Sequence, residues 1–132
     1  MSRFKDKVGK GVDGLVSVII PVYSRECLIK DALDSVLRQT YRPVEVLVVD
    51  DGSEDDTAQV VRAWAASNTN EEGFEVTYLY QENAGAPAAR NRGLRASQGA
   101  YIQFLDSDDL LLPHKINRGV RLLHEEEVDM VY

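Results

Sequence analysis

The chain has 132 residues, of which 44% are hydrophobic and 28% charged; that length holds one domain with a core and not two, and the composition excludes a disordered, collagenous or disulfide-stapled chain. Fifteen basic against 22 acidic residues leave a net charge of −7, which removes the general electrostatic footprint for nucleic acid or an anionic membrane surface. The single cysteine, Cys27, cannot form an internal disulfide and fits a reducing compartment.

The opening stretch MSRFKDKVGKGVDG is polar and rich in Lys and Gly, so residues 1–14 are expected to form a flexible leader before a domain over 15–132. It lacks the apolar core of a secretory signal, and no later run is long enough to cross a bilayer, so a cytoplasmic chain is expected. Leu15 to Val22 (LVSVIIPV) is a short β-branched run that suits a strand buried on both faces. From Glu26 to Gln39 apolar residues recur at helical spacing, with Ser24 placed as an N-cap and Cys27 on the apolar side as a small buried hydrophobe.

Val44 to Val49 predicts a second buried strand, left through the turn Asp50-Asp51-Gly52-Ser53. Ser53 and Asp56 have capping-box spacing for a helix whose inner face is Val60, Val61, Trp64 and Ala65. Phe74 to Tyr80 predicts a third strand, and Pro87 suits the first turn of a helix running to about Gln98. Ala100 to Leu105 predicts a fourth strand, Pro113 opens a helix carrying Ile116, Val120 and Leu123, and Val128 to Tyr132 begins a fifth strand. This alternation predicts an α/β domain: a Rossmann-like open, mostly parallel sheet with helices on both faces. Its last strand has no cap or polar tail, which suggests that the sheet is truncated.

Ligands of such a sheet bind beyond the carboxyl ends of the strands, where connections reverse. Two acidic groups fall there, Asp50 and Asp51 after the second strand, and Asp106, Asp108 and Asp109 after the fourth. Any one of these suits a turn or a helix cap. Three carboxylates within four residues, however, repel one another unless a cation neutralises them, and a hard divalent ion such as Mg²⁺ or Mn²⁺ is the usual solution. Asp106 and Asp108, two apart in an extended segment, are able to face the same way, one towards a sugar hydroxyl and the other towards the metal.

Other chemistries are missing their residues. The turn Pro21 to Glu26 has no glycine, so the dinucleotide fingerprint is absent after the first strand, and no G-x-x-x-x-G-K-[ST] loop occurs. Neither His114 nor His124 has a motif partner, and no Ser-His-Asp arrangement can be drawn.

Four segments together resemble the nucleotide-sugar-binding half of a family 2 glycosyltransferase with the GT-A fold: VSVIIPVYSRE (16–26), SVLRQTYRPVEVLVVDDGSEDDT (35–57), NAGAPAARNRG (83–93) and GAYIQFLDSDDLLLP (99–113). Ser24 stands where that family often has Asn. The resemblance implies that Pro21, Val22 and Tyr23 line a base and ribose pocket with Glu26 close by, and that Asp51 hydrogen-bonds the base while Asp50 is structural. It further implies that Asp106 meets the ribose hydroxyls, and that Asp108, with Ser107 and Asp106 in one acidic motif, ligates Mn²⁺ or Mg²⁺ bridging the donor phosphates. Arg90 and Asn91 match the family's ARN segment, with packing and phosphate contact both open, and Tyr23 is open between pocket and core.

By the same resemblance the partner is a nucleotide-diphosphate sugar, UDP-linked by family habit, and the transfer is inverting. Its general base is expected on a later segment, beyond Tyr132, together with the part that binds the saccharide, lipid or protein acceptor. Two rivals remain. A phospho-acceptor receiver domain also clusters acids, but it places an acidic pair after its first strand, where this chain reads Pro-Val-Tyr. A catalytically degenerate nucleotide-binding or assembly module is not separated from an active domain by these residues.

Overall fold

The computed structural model describes residues 1–3, 11–68 and 70–125. Its elements in chain order are β1 (Ser2–Arg3), β2 (Val12–Val22), α1 (Ile29–Leu37), β3 (Val44–Asp50), α2 (Thr57–Ser67), β4 (Phe74–Tyr80), α3 (Ala86–Ala96), β5 (Gly99–Phe104) and α4 (Lys115–Glu125). They build one sheet of order β1-β5-β2-β3-β4, in which β5, β2, β3 and β4 are mutually parallel and β1 runs antiparallel to β5. The α/β sheet expected from the sequence is therefore present. The expected fifth strand, Val128 to Tyr132, lies outside the described residues.

The β-branched runs form central strands because side chains on both faces find helices to pack against. On one face Val16, Val18, Ile20 and Val22 meet Ile29, Leu33 and Val36 of α1, Val61 and Trp64 of α2, and Ile116 and Leu123 of α4. On the other, Ile19, Leu47 and Ile102 pack with Leu94 of α3. Gly93 allows that second layer to close: a Cβ there would sit 2.5 Å from Ile19 Cγ2. Trp64 Nε1 donates to Asp34 Oδ1 at 2.8 Å, tying α2 to α1, and its ring meets Phe74 edge-on with centroids 6.1 Å apart.

Several local expectations differ from the structure. Strand β2 begins at Val12 rather than Leu15, and Ser2–Arg3, within the stretch expected to be a mobile leader, pair with Tyr101 and Ile102. No apolar pattern announces that pairing; the outer edge of β5 supplies the unpaired backbone groups. Ser24 is not the cap of α1. Its φ is +49°, its N–H donates to Ser53 Oγ at 2.8 Å, and the helix starts five residues later with no side-chain cap. Cys27 consequently falls before α1 and is exposed, not buried. The Ser53/Asp56 capping box does not form either. Ser53 N–H donates to Asp50 Oδ1 at 2.8 Å, and it is Asp55 Oδ1 that accepts from Thr57 N–H at 3.0 Å, a local Asx bond that outcompetes the longer-range cap.

At the amino-terminal pole of the sheet, buried Glu45 accepts from Ser17 Oγ and from Gln98 N–H (2.6 Å), while Ser17 Oγ accepts from Gly99 N–H at 2.8 Å. This knot sets the register of β2, β3 and β5. The functional residues lie at the opposite pole.

Candidate functional site

From β2 the chain steps outward through β3 to β4 and then crosses back over β2 to form β5, so the connections reverse between β2 and β5. Their carboxyl ends diverge there and leave a crevice. Leu105 N–H donates to Ile19 O at 3.0 Å and Asp51 N–H to Val22 O at 2.8 Å, which carries the three strand ends to a common rim. A cavity of about 230 Å³ opens at that rim. Its walls come from Pro21, Val22 and Tyr23 after β2, Asp51 after β3, Arg90 of α3, and Asp106, Ser107 and Asp108 after β5; Arg25 and Ala86 complete it.

Eight of the nine residues singled out from the sequence thus meet around one space. Tyr23, open between core and pocket, is 45% exposed and lines it. Glu26 does not. Its Oε2 accepts from Asp56 N–H at 3.2 Å while its own N–H donates to Asp55 Oδ2 at 3.3 Å, so it clasps the β3–α2 loop outside the cavity. Asn91 is exposed on α3 and is not part of the wall.

Asp51 is the most constrained group of the site. Its Oδ1 accepts from Gln81 Nε2 (2.8 Å) and Ala84 N–H (2.8 Å), and its Oδ2 from Gly85 N–H (2.9 Å) and Asn83 Nδ2 (3.3 Å). Burial on its own would raise this carboxyl's pKa, but the bonds from Gln81, Ala84 and Gly85 outweigh it and hold the group below its ordinary value. Both oxygens, expected from the resemblance to face a base, are therefore engaged with the loop 81–85. Gly52 makes this approach possible, with φ +84° and space in which a Cβ would come within 2.9 Å of Asn83 N. Asp50 turns away from the cavity, accepting from Tyr78 Oη at 2.5 Å, and burial, then that bond, raise the tyrosine's pKa.

The loop pinned by Asp51 leads into α3, whose amino-terminal residue Ala86 borders the cavity. The amino-terminal end of that helix and the cations Arg25 and Arg90 line the same cavity as Asp106 and Asp108. Arg90 Nη2 donates to Asp106 Oδ1 at 3.3 Å. Carboxylate oxygens of Asp106, Asp108 and Asp109 lie within 4.8 Å of one another, all on exposed residues. Ligands of an octahedral Mg²⁺-type ion sit roughly 3 to 4 Å apart at bond lengths of about 2.1 Å. These hard oxygen donors fit such an ion after a small rotation of side chains that have room to move.

Sequence reading missed two cavity residues, Arg25 and Ala86. Both fall within segments that carry the resemblance, VSVIIPVYSRE and NAGAPAARNRG, but only the fold brings them to the same space as the acids. Asp109, grouped with Asp106 and Asp108 as one acidic cluster though not named as a ligand, lies with them within 4.8 Å.

The family model described as "Glycosyl transferase family 2" matches residues 17–132. An uncharacterized glycosyltransferase of Rickettsia prowazekii, RP339, is 38% identical over 111 residues, which are 84% of this chain and 32% of that protein. Glycosyltransferase GlyA of Streptococcus pneumoniae is 36% identical over 119 residues, 90% of this chain and 16% of that protein. The chain therefore spans a third or less of the length of these relatives. Among solved structures, the mannosyltransferase PcManGT of Pyrobaculum calidifontis, in complex with GDP-Man and Mn²⁺, superposes with a TM-score of 0.75 at 32% identity, over 83% of this chain and 32% of that one. TarS of S. aureus in complex with UDP-GlcNAc gives 0.72 at 32% identity, over 85% and 32%. With its acidic turn at the switch point of a parallel sheet, the chain belongs to glycosyl transferase family 2.

Proposed function

We propose that this chain is the donor-binding part of a glycosyltransferase and holds a nucleotide-diphosphate sugar through Mn²⁺ or Mg²⁺ at the cavity between β2 and β5. The observation that carries this reading is the meeting of Asp106, Ser107 and Asp108 with Arg90 and Tyr23 around one space, with the three acidic side chains of the turn within reach of one ion. In this reading Tyr23, with Pro21 and Val22, receives the base, Asp106 the ribose hydroxyls, and Asp108 and Asp106 the metal. Asp51 takes the base N–H in place of one side-chain amide, Gln81 or Asn83, while keeping its two backbone donors. Arg25, Arg90 and the amino-terminal end of α3 lie where a diphosphate's charge needs partners.

The ion supplies charge neutralisation for the departing nucleoside diphosphate. The cavity residues orient the donor, and Arg90 exchanges its bond to Asp106 for a phosphate oxygen. UDP is the nucleotide we assign by the resemblance; the structural neighbours include complexes with both GDP-Man and UDP-GlcNAc. Inverting transfer, a general base on a later segment and an acceptor of saccharide, lipid or protein type are proposed for the whole protein.

Electron paramagnetic titration of Mn²⁺ tests the metal assignment. With UDP present, the chain is expected to take up one ion, Asp108→Asn to lose that uptake with its fold intact, and Asp106→Asn to weaken it. Equal uptake by the chain and Asp108→Asn would refute the assignment.

A further inference from the structure

Tyr23 and Arg25 both line the cavity, and the residue between them has an unusual backbone. Ser24 has φ +49°, a left-handed conformation that is costly for a residue carrying a Cβ and persists only where surrounding bonds over-determine it. Those bonds come from the 53–57 loop. Three successive backbone N–H groups donate to it: Ser24 to Ser53 Oγ at 2.8 Å, Arg25 to Thr57 Oγ1 at 3.1 Å and Glu26 to Asp55 Oδ2 at 3.3 Å. Two bonds return, from Glu54 N–H to Ser24 Oγ at 3.4 Å and from Asp56 N–H to Glu26 Oε2 at 3.2 Å.

This clasp is anchored behind the cavity, since Asp50, Ser53 and Thr57 are not among the residues that line it. Ser53 N–H donates to Asp50 Oδ1 at 2.8 Å, and Asp50, 1% exposed, accepts through Oδ2 from Tyr78 Oη at 2.5 Å. Thr57 Oγ1 donates to Asp55 Oδ1 at 2.5 Å, which commits its proton and leaves its lone pairs for Arg25 N–H. A line of bonded groups thus runs from β4 through Asp50 and Ser53 to the backbone of Ser24, and ends on two side chains of the cavity wall. We infer that Ser53, braced by Asp50, is a positioning residue for the nucleotide: it holds Ser24 in its left-handed turn and so aims Tyr23 and Arg25 into the cavity. The inference rests on the reading of that cavity as the donor site and adds to it the group that shapes the wall. Without the bond Ser24 relaxes towards the backbone regions that L-residues prefer, and its two neighbours turn with it. One hydrogen bond of this kind shifts such an equilibrium about fivefold.

Fluorine NMR of the chain labelled with 3-fluorotyrosine, with Tyr23 assigned through Tyr23→Phe, reads the wall itself, and titration with UDP in Mn²⁺ reads the consequence. Ser53→Ala is expected to move the Tyr23 resonance and to weaken UDP binding about fivefold, with native circular dichroism. Ser53→Thr, which keeps the hydroxyl, is expected to keep both. Where Tyr23→Ala and Arg25→Gln have already removed the two side chains, Ser53→Ala is expected to weaken binding by less than about twofold, because it acts through them. A Tyr23 resonance that Ser53→Ala leaves in place overturns the inference, as does an unchanged affinity or a fivefold loss that persists without the two side chains. A chain that binds no UDP bears on the donor reading instead, and the fluorine signal then decides by itself whether Ser53 sets Tyr23.

Discussion

Asp51→Ala removes one carboxylate and strands four donors. The two side-chain amides, Gln81 and Asn83, can turn to water, but the backbone N–H groups of Ala84 and Gly85 lose partners at 2.8 and 2.9 Å and cannot move without unfolding the loop. A hydrogen bond to a charged group contributes about 1.5 to 3 kcal/mol. Two such losses, reduced by the water that reaches this partly buried rim, give a destabilisation of about 2 to 4 kcal/mol out of a typical total of about 5 to 15. At a urea m-value of roughly 1.5 kcal/mol/M the unfolding midpoint falls by about 1.3 to 2.7 M. Amide hydrogen exchange should show the Ala84 and Gly85 protons losing protection while those of β2 and β3 keep theirs. Asp51→Asn keeps one acceptor oxygen but turns an NH₂ towards the other donors, so its loss should be smaller and its Gly85 amide should still exchange faster. A midpoint shift below about 0.3 M with Gly85 protection retained would refute the view that Asp51 holds this loop.

Because the Asp51 carboxyl titrates below its ordinary value near 3.8, its contribution is full above that pH and is lost as pH falls through the folded-state value. The stability difference between the chain and Asp51→Asn should therefore be constant from neutrality down to about pH 4 and shrink below it, which urea melts at several pH values would read. Glu45→Ala leaves Gln98 N–H and Ser17 Oγ without their acceptor in a buried knot, and should cost about 2 to 4 kcal/mol in a denaturant titration while sparing nucleotide affinity. Gly93→Ala pushes a methyl to 2.5 Å from Ile19; about 1 to 3 kcal/mol of overpacking should appear as a lowered Tm. Asp108→Asn, at an exposed turn, should leave the Tm within about 1 °C and abolish the effect of Mn²⁺ on UDP binding in a calorimetric titration.

The parallel core was legible in the sequence because each central strand is a β-branched run bounded by turn residues, and α1, α2 and α4 each carry one apolar stripe, while α3 was announced by Pro87 at its start. Trp64, Ile116 and Leu123 fall inward as their spacing requires. What was not legible is decided by bonds between residues far apart in the chain. Ser24 has the chemistry of a helix cap, yet Ser53, 29 residues on, claims its backbone. Cys27 fits the apolar stripe of α1, yet the chain enters that helix only at Ile29. The short strand Ser2–Arg3 has no pattern of its own and exists because β5 offers an edge. In the site, the acids after strand ends could be seen at once, since topology alone brings strand ends together. Ala86 could not, because its position follows from the four bonds that Asp51 makes to the 81–85 loop.

The central claim is that the cavity between β2 and β5 binds a nucleoside diphosphate through a divalent ion. Isothermal titration of the chain with UDP in Mn²⁺, repeated after EDTA, tests it most directly. The account predicts one UDP bound in Mn²⁺ and at least a tenfold loss of affinity once the metal is removed. Binding of equal strength in EDTA, or none in Mn²⁺ by a chain with native circular dichroism, would contradict it.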